Sequence, residues 1–264
     1  MSLNNSAFFF KIWYIKLVVW QQYKDNNHYQ LRKAGNSLRL YRNKVFHSQY
    51  NGGRFLNGGV WDMLWLPIFF RPVDRPLRIL MLGLGAGAAL KKIQQYACID
   101  EIIAVDIDAT HIHIAKKFMR LTDATIALHR ADAEQWLSRY DGPAFDIIID
   151  DLFYEQDGEP LRAVDLHNNN GAWLSLLKRH LLKGGLLIAN CTTPSEARSL
   201  VTKTSSSRRV FKYGMRFSKP AYANILAVVS DMPVMRQQWR VHLGASAGHA
   251  RVKEAEAAHT MRSL

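Results

Sequence analysis

The sequence predicts an α/β fold built on a mostly parallel, doubly wound β-sheet, and three observations carry this prediction. From residue 78 onward, short apolar runs alternate with amphipathic stretches, which is typical of βαβ units. The apolar runs are continuous, as expected of strands that helices bury on both faces. The first run leads directly into a glycine-rich turn, GLGAG at residues 83–87, and then into a helical pattern.

Five parallel strands and five helices are predicted in order along this part of the chain. The strands are at residues 78–83, 101–106, 124–129, 145–150 and 185–190, and the helices are near residues 87–97, 109–119, 133–139, 171–182 and 194–203. Gly184 and Gly185 are predicted to end the fourth helix, because glycine is common just after a helix C-terminus. Two later β-rich segments, residues 208–214 and 222–230, are close enough to pair as an antiparallel hairpin at one end of the sheet.

The chain outside this region divides into two further units. Residues 1–75 are aromatic and basic, and two Asn-Gly-Gly sequences predict hairpin turns in a small β-rich N-terminal unit. The segment RPVDRP, residues 71–76, marks the end of this unit. Residues 76–244 form the α/β domain. Residues 245–264 are a polar, alanine-rich C-terminal tail that we expect to be loosely held.

Composition restricts where the protein works and what it binds. Two cysteines are too few for a disulfide scaffold, which favours a reducing compartment and a cytoplasmic location. The apolar stretch at residues 7–20 contains lysines and is shorter than the ~20 residues of a spanning helix, so we expect no membrane span. We regard the stretch as a core strand or an oligomer contact, such as that of a homodimer, and the alternative is a contact with the membrane interface. The net charge of +13 keeps nucleic acid open as a partner. His111 and His113 face different sides of a predicted helix, so no metal site is predicted.

Acidic residues are concentrated in one segment of this basic chain. Residues 146–165 hold seven acids, Asp150 and Asp151 among them, and one base, Arg162. This segment therefore predicts an acidic pocket, which would attract a cationic ligand and repel nucleic acid.

Gly83, Gly85 and Gly87 lie between a strand and a helix, where a sharp turn and a closely approaching ligand both favour residues without a Cβ. The next strand ends at Asp106, about 20 residues beyond the first glycine, where nucleotide-binding sheets place an acid that binds the ribose hydroxyls. Asp106 is therefore predicted to bind ribose, and Asp108 to cap the following helix. A tight turn without a ligand is an alternative, and a nicotinamide cofactor fits these residues as well.

Asp132 and Ala133 follow the third strand, beside the same crevice. The Asp132 carboxylate can accept a hydrogen bond from the adenine amine, and Ala133 leaves room for the adenine ring. A nicotinamide site needs no such third acid. The alternative role for Asp132 is that of a helix N-cap.

Four segments in this order, GLGAG, VDID, ADA and FDIIIDD, resemble the Rossmann-like fold of the class I S-adenosylmethionine-dependent methyltransferases. Within that superfamily, residues 78–191 are most similar to the spermidine synthases, the polyamine aminopropyltransferases, which also carry a small N-terminal β domain. The resemblance makes residues 76–244 a nucleoside-binding domain, with S-adenosylmethionine or decarboxylated S-adenosylmethionine as the group donor. It implies a methionine-tail site at Gly83, Gly85 and Gly87, a ribose site at Asp106 and an adenine site at Asp132 and Ala133.

In this family a strand of the form D-V-I-I-x-D-S-S-D ends in the catalytic aspartate, and the resemblance assigns this role to Asp150. A carboxylate there can hold a protonated amine, orient it and assist its deprotonation. Asp151 then occupies a serine position. Phe153 occupies the position of the second aspartate, which holds the far amine of the acceptor. Tyr154 is a further candidate for covering the acceptor pocket.

The part of the family pattern that concerns the amine is altered in this chain. Gln49 matches the glutamine of the family's L-D-G-x-x-Q, whereas the Tyr-His-Glu stretch has no counterpart. The resemblance implies aminopropyl transfer to a small-molecule amine. Methyl transfer to another nucleophile and nucleoside binding without turnover are the alternatives. Asp132 and Asp150 disfavour a nicotinamide-dependent oxidoreductase.

Overall fold

The computed structural model describes residues 17–156, 159–164, 166, 171–201 and 211–264. It begins with a four-stranded antiparallel sheet whose strands follow one another in space as they do in sequence. These strands are β1 (Leu17–Lys24), β2 (Asn27–Ala34), β3 (Ser37–Arg42) and β4 (Val45–Tyr50). A β-rich unit at the N-terminus is therefore confirmed. The end of the apolar stretch forms part of β1, and residues 7–16 lie outside the described part of the chain.

The hairpin turns of this N-terminal sheet are not the predicted Asn-Gly-Gly sequences. Asp25 and Asn26 join β1 to β2, and Asn43 and Lys44 join β3 to β4, with φ values of 47°, 59°, 50° and 72°. Two consecutive residues with positive φ are typical of the type I′ turn, which matches the twist of paired strands. The prediction was wrong because these turns are made without glycine: aspartate and asparagine adopt this conformation readily, and Lys44 adopts it as well. Both Asn-Gly-Gly sequences instead follow β4.

The remaining elements are helices and the strands of a second, larger sheet, with one short hairpin. Up to the end of β8 they are α1 (Trp61–Trp65), a 3-10 helix (Leu66–Phe70), β5 (Leu77–Leu82), α2 (Ala88–Tyr96), β6 (Ile99–Asp106), α3 (Ala109–Lys117), β7 (Ile126–Arg130), α4 (Ala133–Arg139) and β8 (Phe145–Asp150). They continue with β9 (Phe153–Gln156), β10 (Glu159–Arg162), α5 (Ala172–Arg179), β11 (Leu181–Cys191), α6 (Pro194–Ser199), β12 (Tyr213–Ser218), β13 (Ile225–Ser230), α7 (Arg236–Ala247), α8 (His249–Ala258) and β14 (Thr260–Ser263).

The large sheet has eight strands in the order β14-β12-β13-β11-β8-β5-β6-β7. The five strands from β11 to β7 are parallel, and β13, β12 and β14 are antiparallel to their neighbours. This confirms the predicted α/β fold with an antiparallel hairpin at one end of a mostly parallel sheet. No helix in the described ranges is long and apolar enough to cross a membrane.

The C-terminal residues are not the loosely held segment that their composition predicts. They form the end of α7, then α8 and β14, and β14 pairs with β12 as the edge strand of the large sheet. Val252, Ala255 and Met261 are buried against the core. The stretch looks polar because only a few of its side chains, those on the surface that packs, are both apolar and buried. The division of the chain at residues 75 and 244 stays a prediction.

Gly184 and Gly185 do not end a helix. The helix predicted at residues 171–182 ends at Arg179, and both glycines lie within β11. Gly184 has φ of +80°, in the stretch where the pairing of β11 with β8 is irregular. A Cβ on Gly185 would lie 2.8 Å from the Asp146 carbonyl oxygen, so a close approach of two strands requires this glycine. The helix predicted at residues 194–203 ends at Ser199, and residues 202–210 lie outside the described ranges.

Each face of the large sheet carries its own core, because alternate residues of a strand point to opposite faces. Ile147 of β8 belongs to a core that contains Leu31 of the N-terminal sheet, and we call this side the N-terminal face. Ile148 belongs to the other core, which contains Trp173 of α5, and we call that side the helical face. The alternation decides where the polar residues at the end of β8 point.

Candidate active site

The glycine turn after β5 lies where the carboxyl ends of β5, β6 and β8 meet. The amide of Gly83 donates to the Val105 carbonyl at 2.9 Å, and the amide of Asp151 donates to the Leu82 carbonyl at 2.8 Å. Gly83 has φ of +84°, and a Cβ on it would lie 2.2 Å from the Asp151 carbonyl oxygen. Contact with the protein's own backbone therefore requires glycine at this position.

The other two glycines of the turn, Gly85 and Gly87, lie next to the N-terminal sheet and the start of α2. A Cβ on Gly85 would lie 3.2 Å from the carbonyl oxygen of His47 in β4, so the turn touches the N-terminal sheet. Gly87, with φ of +82°, precedes α2, and no side chain caps that helix. The first turn of α2 thus keeps main-chain N–H groups that can meet a ligand.

Asp106 ends β6, beside the glycine turn, and is 8% exposed. Its carboxylate accepts hydrogen bonds from the amides of Leu84 and Asp108, both at 2.8 Å. Asp108 accepts a bond of 2.7 Å from the Thr110 amide at the start of α3, which confirms its predicted role as the helix cap. Asp106 is thus held in place at the glycine turn, and its carboxylate keeps lone pairs for further hydrogen bonds.

His111 is also part of this site, although no local sequence pattern places it beside Asp106. Its Nδ1 lies 3.2 Å from Asp106 Oδ2, and its Nε2 lies 3.8 Å from Asp108 Oδ2. Burial by itself would lower the pKa of His111, but the charge of Asp106 and the hydrogen bond to it raise the pKa above its usual value. Burial by itself would raise the pKa of Asp106, but His111 and the two amides lower it. Each group therefore favours the charged form of the other.

The N-terminal sheet supplies two more residues beside Asp108 and His111. The Tyr29 hydroxyl donates to Asp108 Oδ2 at 2.6 Å, and the His47 ring lies 5.8 Å from that of His111. Burial, helped by the nearby positive charge of His111, lowers the pKa of His47 to about 4. Tyr29 and His47 lie far from the glycine turn in sequence, so no local pattern could have placed them beside it.

Asp132 ends up one strand away from Asp106. It caps α4 by accepting a hydrogen bond of 2.9 Å from the Gln135 amide, as the alternative interpretation of this residue expected. The amide of Ala131 donates to the Asp106 carbonyl at 3.1 Å, so the two strand ends adjoin. Asp132 also lines a cavity of about 580 Å³, and Ala133 is 7% exposed. Asp132 can cap the helix with one oxygen and meet a ligand with the other.

Asp150 and Asp151 point to opposite faces of the sheet. Asp150 is 0% exposed on the helical face, where its Oδ2 accepts hydrogen bonds from Arg162 Nη2 at 2.8 Å and from Trp173 Nε1 at 2.9 Å. Asp151 accepts a hydrogen bond of 2.7 Å from Asn190 Nδ2. Asn190 lies two residues after Ile188 in β11, so both side chains point to the N-terminal face. Of the two aspartates, only Asp151 therefore points to the N-terminal face, where the N-terminal sheet approaches the glycine turn.

Asp151 has an unusual proton affinity. Burial raises its pKa to about 7, and the negative charges of Asp150 and Asp106 contribute to the rise, while the Asn190 hydrogen bond and the charge of Arg162 oppose it. Asn190 is itself oriented by a bond of 3.1 Å from Asn224 Nδ2 to its Oδ1. Asp151 is thus a fixed carboxyl group that gains and loses its proton near neutral pH.

The acidic segment does not form one pocket. Asp146 lies at the opposite end of β8 from Asp150 and pairs with Arg75 at 2.7 Å. Asp150 is paired with Arg162, whose position as the single base in the segment was the one signal of this contact. Asp157 and Asp165 lie outside the described residues. The prediction failed for Asp146 because the length of a strand separates its two ends.

Tyr154 and Gln49 have their own contacts. Tyr154 lies on β9, is 46% exposed, and shares a hydrogen bond of 3.4 Å with Gln156. Gln49 accepts a bond of 2.7 Å from Arg39 Nε and donates one of 2.6 Å to the Asn57 carbonyl. In the described ranges, no hydrogen bond joins either side chain to Asp150 or Asp151, so their roles stay predictions. No three His, Cys, Asp or Glu side chains of those ranges form a metal-binding group.

Sequence comparison connects this arrangement to known proteins. Residues 62–232 match the family model of the spermine/spermidine synthase domain. The chain is 32% identical over 92 residues to polyamine aminopropyltransferase 2 of Caldanaerobacter subterraneus subsp. tengcongensis, and the alignment covers 34% of this chain and 31% of that relative. The chain thus spans about a third of the length of this curated relative.

Solved structures share the fold. A probable spermidine synthase from Corynebacterium glutamicum superposes with a TM-score of 0.68 at 18% identity, covering 92% of this chain and 95% of that chain. A spermidine synthase in complex with the transition state analogue AdoDATO superposes with a TM-score of 0.58 at 14% identity, covering 91% and 87%. Since the family model matches more than half of its residues, the chain belongs to the spermine/spermidine synthase family.

Proposed function

We propose that the protein transfers an aminopropyl group from decarboxylated S-adenosylmethionine to an amine acceptor, with Asp151 beside the reacting nitrogen. Membership of the spermine/spermidine synthase family supports aminopropyl transfer. The observation that carries the role of Asp151 is its place in the fold. Its carbonyl group packs against Gly83, and its carboxyl group leaves the end of β8 toward Asn190 on the N-terminal face.

The alignment that assigned the catalytic role to Asp150 and the second aspartate to Phe153 is shifted by one residue when the family pattern is counted from Asp146. The shifted pattern supports Asp151. In D-V-I-I-x-D-S-S-D the strand's first aspartate falls on Asp146, the variable position on Asp150 and the catalytic aspartate on Asp151. The second aspartate then falls on Tyr154. The ion pair and the complete burial of Asp150 agree with this register, because a carboxylate that binds Arg162 and Trp173 on the helical face cannot also hold an amine on the other.

Aminopropyl transfer needs a group that holds the acceptor amine and removes a proton from its nitrogen, and we assign both roles to Asp151. The donor supplies a carbon bonded to a sulfonium. The lone pair of the amine forms the new C–N bond, the C–S bond breaks with its electrons on sulfur, and the displaced proton passes from nitrogen to Asp151 and then to solvent. A carboxylate that titrates near the operating pH is suited to this transfer.

Three groups around the glycine turn fit the nucleoside part of the donor. Asp106 is fixed by Leu84, Asp108 and His111, and its carboxylate keeps one acceptor site for a ribose hydroxyl. The uncapped start of α2 presents N–H groups to the donor's tail. Asp132 lies next to Asp106 across the ends of β6 and β7, and the carboxylate oxygen that does not cap α4 is left for the adenine amine. The structural relative that binds AdoDATO supports a donor of this shape.

A thermal-shift panel tests the donor. We expect decarboxylated S-adenosylmethionine and methylthioadenosine to raise the unfolding temperature, because a ligand that binds only the native state stabilises it, by about 2.7 kcal/mol at a hundredfold excess over Kd. NAD is the negative control. A shift with NAD alone would reject the nucleoside assignment, and a shift with S-adenosylmethionine but not with its decarboxylated form would favour methyl transfer.

The pH profile tests Asp151. We expect kcat/KM to rise as the pH increases through about 7, because the pKa of Asp151 is raised to about 7 and only its deprotonated form accepts a proton. Ionisation of the acceptor amine contributes a second rise at higher pH. The Asp151→Asn variant should lack the first rise and keep the second. An unchanged lower inflection in this variant would assign it to another group.

A further inference from the structure

Arg162 is the last residue of β10, in the hairpin that follows Asp150 and Asp151, and its side chain is buried. It is 6% exposed, and its Nη2 donates to Asp150 Oδ2 at 2.8 Å. Its Nε donates to the Val164 carbonyl at 3.1 Å and lies 3.4 Å from Glu196 Oε1 of α6. Its Nη1 donates to the Asn190 carbonyl in β11. A guanidinium offers five donors in a rigid plane, and here they reach β8, β11 and α6 at once.

This contact fixes a hairpin that is small by itself. In the described ranges, β9 and β10 form a sheet of only two strands, and such a hairpin is marginally stable in water. Phe153, which opens β9, lies across the hairpin from Arg162, and its ring centre is 5.7 Å from the guanidinium carbon. Because β9 begins two residues after Asp151, the position of the hairpin sets the course of the chain that leaves the active site.

The same contact balances the charge next to Asp151. The charged groups around Asp151 are Asp150 on β8, Asp106 at the end of β6, Arg162 on β10 and Glu196 on α6 beside Arg162. Three of them are acids and one is a base. Two neighbouring buried carboxylates cannot both ionise easily unless a cation compensates one of them. Arg162 compensates Asp150.

We propose that Arg162 is a positioning residue, which neutralises Asp150 and fastens the β9–β10 hairpin over the strand ends, so that Asp151 is the carboxylate left to meet the acceptor. The inference rests on the proposed role of Asp151 in aminopropyl transfer. Arg162 does not touch the reacting atoms. It acts through Asp150, to which it is bound, and through the backbone that leads away from Asp151.

Arg162→Gln tests the proposal through the pH profile of kcat/KM. With Asp150 uncompensated, the lower inflection should move upward by about 1–3 pH units, which is the range over which a close charge shifts a carboxyl pKa. Arg162→Lys keeps the charge and should leave the inflection near that of the wild type, even if the hairpin is less firmly held. The matched control is Arg75→Gln, which breaks an Arg–Asp pair of 2.7 Å at the opposite end of β8 and should move nothing.

The double variant Asp150→Asn with Arg162→Gln separates charge from structure. It removes both charges, so the inflection should return close to the wild-type value although the hairpin has lost its anchor. An unmoved inflection in Arg162→Gln, or a shift that persists in the double variant, would overturn the proposal. A ¹³C titration of labelled aspartate carboxyls, with Asp151→Asn to identify the resonance, reads the same pKa without turnover. Absence of aminopropyl transfer in the wild type would thus reject the proposed function while the titration still decides about Arg162.

Discussion

The Asp151→Asn variant should transfer aminopropyl groups about 10²–10⁴-fold more slowly than the wild type, which is the usual contribution of a positioned acid–base group. Asparagine has the same shape and keeps an oxygen for the hydrogen bond from Asn190, which is 2.7 Å long in the wild type. The fold and methylthioadenosine binding should therefore persist. Single-turnover rates and binding constants for methylthioadenosine, measured on the same preparations, check both statements.

Stability gives this variant a second readout. Because the pKa of Asp151 is raised from 3.8 to about 7 in the folded state, the folded protein holds this proton more tightly than the unfolded chain does. The wild type should therefore lose stability as the pH rises from about 4 to about 7, and Asp151→Asn should lose less over the same range. Urea unfolding at several pH values measures the difference. Equal pH dependence in both proteins would mean that Asp151 is not perturbed.

The Asp150→Asn variant, compared with Asp151→Asn, tests which of the two aspartates is catalytic. It removes the shorter of the two ion pairs of the buried Arg162 guanidinium and leaves only the contact of 3.4 Å with Glu196, and breaking a buried ion pair costs about 3–5 kcal/mol. We therefore expect a loss of stability from this variant, in contrast to the loss of rate from Asp151→Asn. A stable but inactive Asp150→Asn protein would return the catalytic role to Asp150.

Gly83→Ala should lower the free energy of unfolding by about 2–5 kcal/mol. The residue has φ of +84°, and the added Cβ would lie 2.2 Å from the carbonyl oxygen and 2.8 Å from the carbonyl carbon of Asp151. These are backbone atoms, so no side-chain rotation relieves the clash. The end of β8 must move, and Asp151 moves with it, so the activity that remains in folded protein should also fall.

Gly58→Ala is the matched control for this substitution. Gly58 has φ of +86°, but a Cβ there would have no neighbour within 4 Å. It should lose only the roughly 1–2 kcal/mol of a left-handed alanine. Urea or thermal unfolding of the two variants separates the conformational cost from the collision. Equal losses would show that the approach of Gly83 to Asp151 is not tight.

Much of the candidate site could be predicted because its residues lie at the ends of strands. The alternation of apolar runs located β5, β6, β7 and β8 to within two residues, and Asp106, Asp132 and the paired aspartates follow three of these strands. The β14 strand was not predicted, because its apolar residues are few and its partner, β12, is distant in sequence. The β9–β10 hairpin was not predicted although its two strands are close in sequence, because its acidic residues were interpreted as part of a pocket. From the sequence, His111 was considered only as a metal ligand, whereas in the structure His111 pairs with Asp106.

The sequence by itself determined the fold class, the positions of the parallel strands along the chain and the acids placed at their carboxyl ends, because strand and helix periodicities and strand ends are properties of neighbouring residues. Only the tertiary structure decided which of two adjacent aspartates faces the glycine turn. Consecutive side chains of a strand point to opposite faces, and distant residues decide what covers each face: Trp173 and Arg162 surround Asp150, whereas Asn190 meets Asp151. The difference in their surroundings gives one carboxylate a permanent partner and leaves the other to titrate near neutral pH.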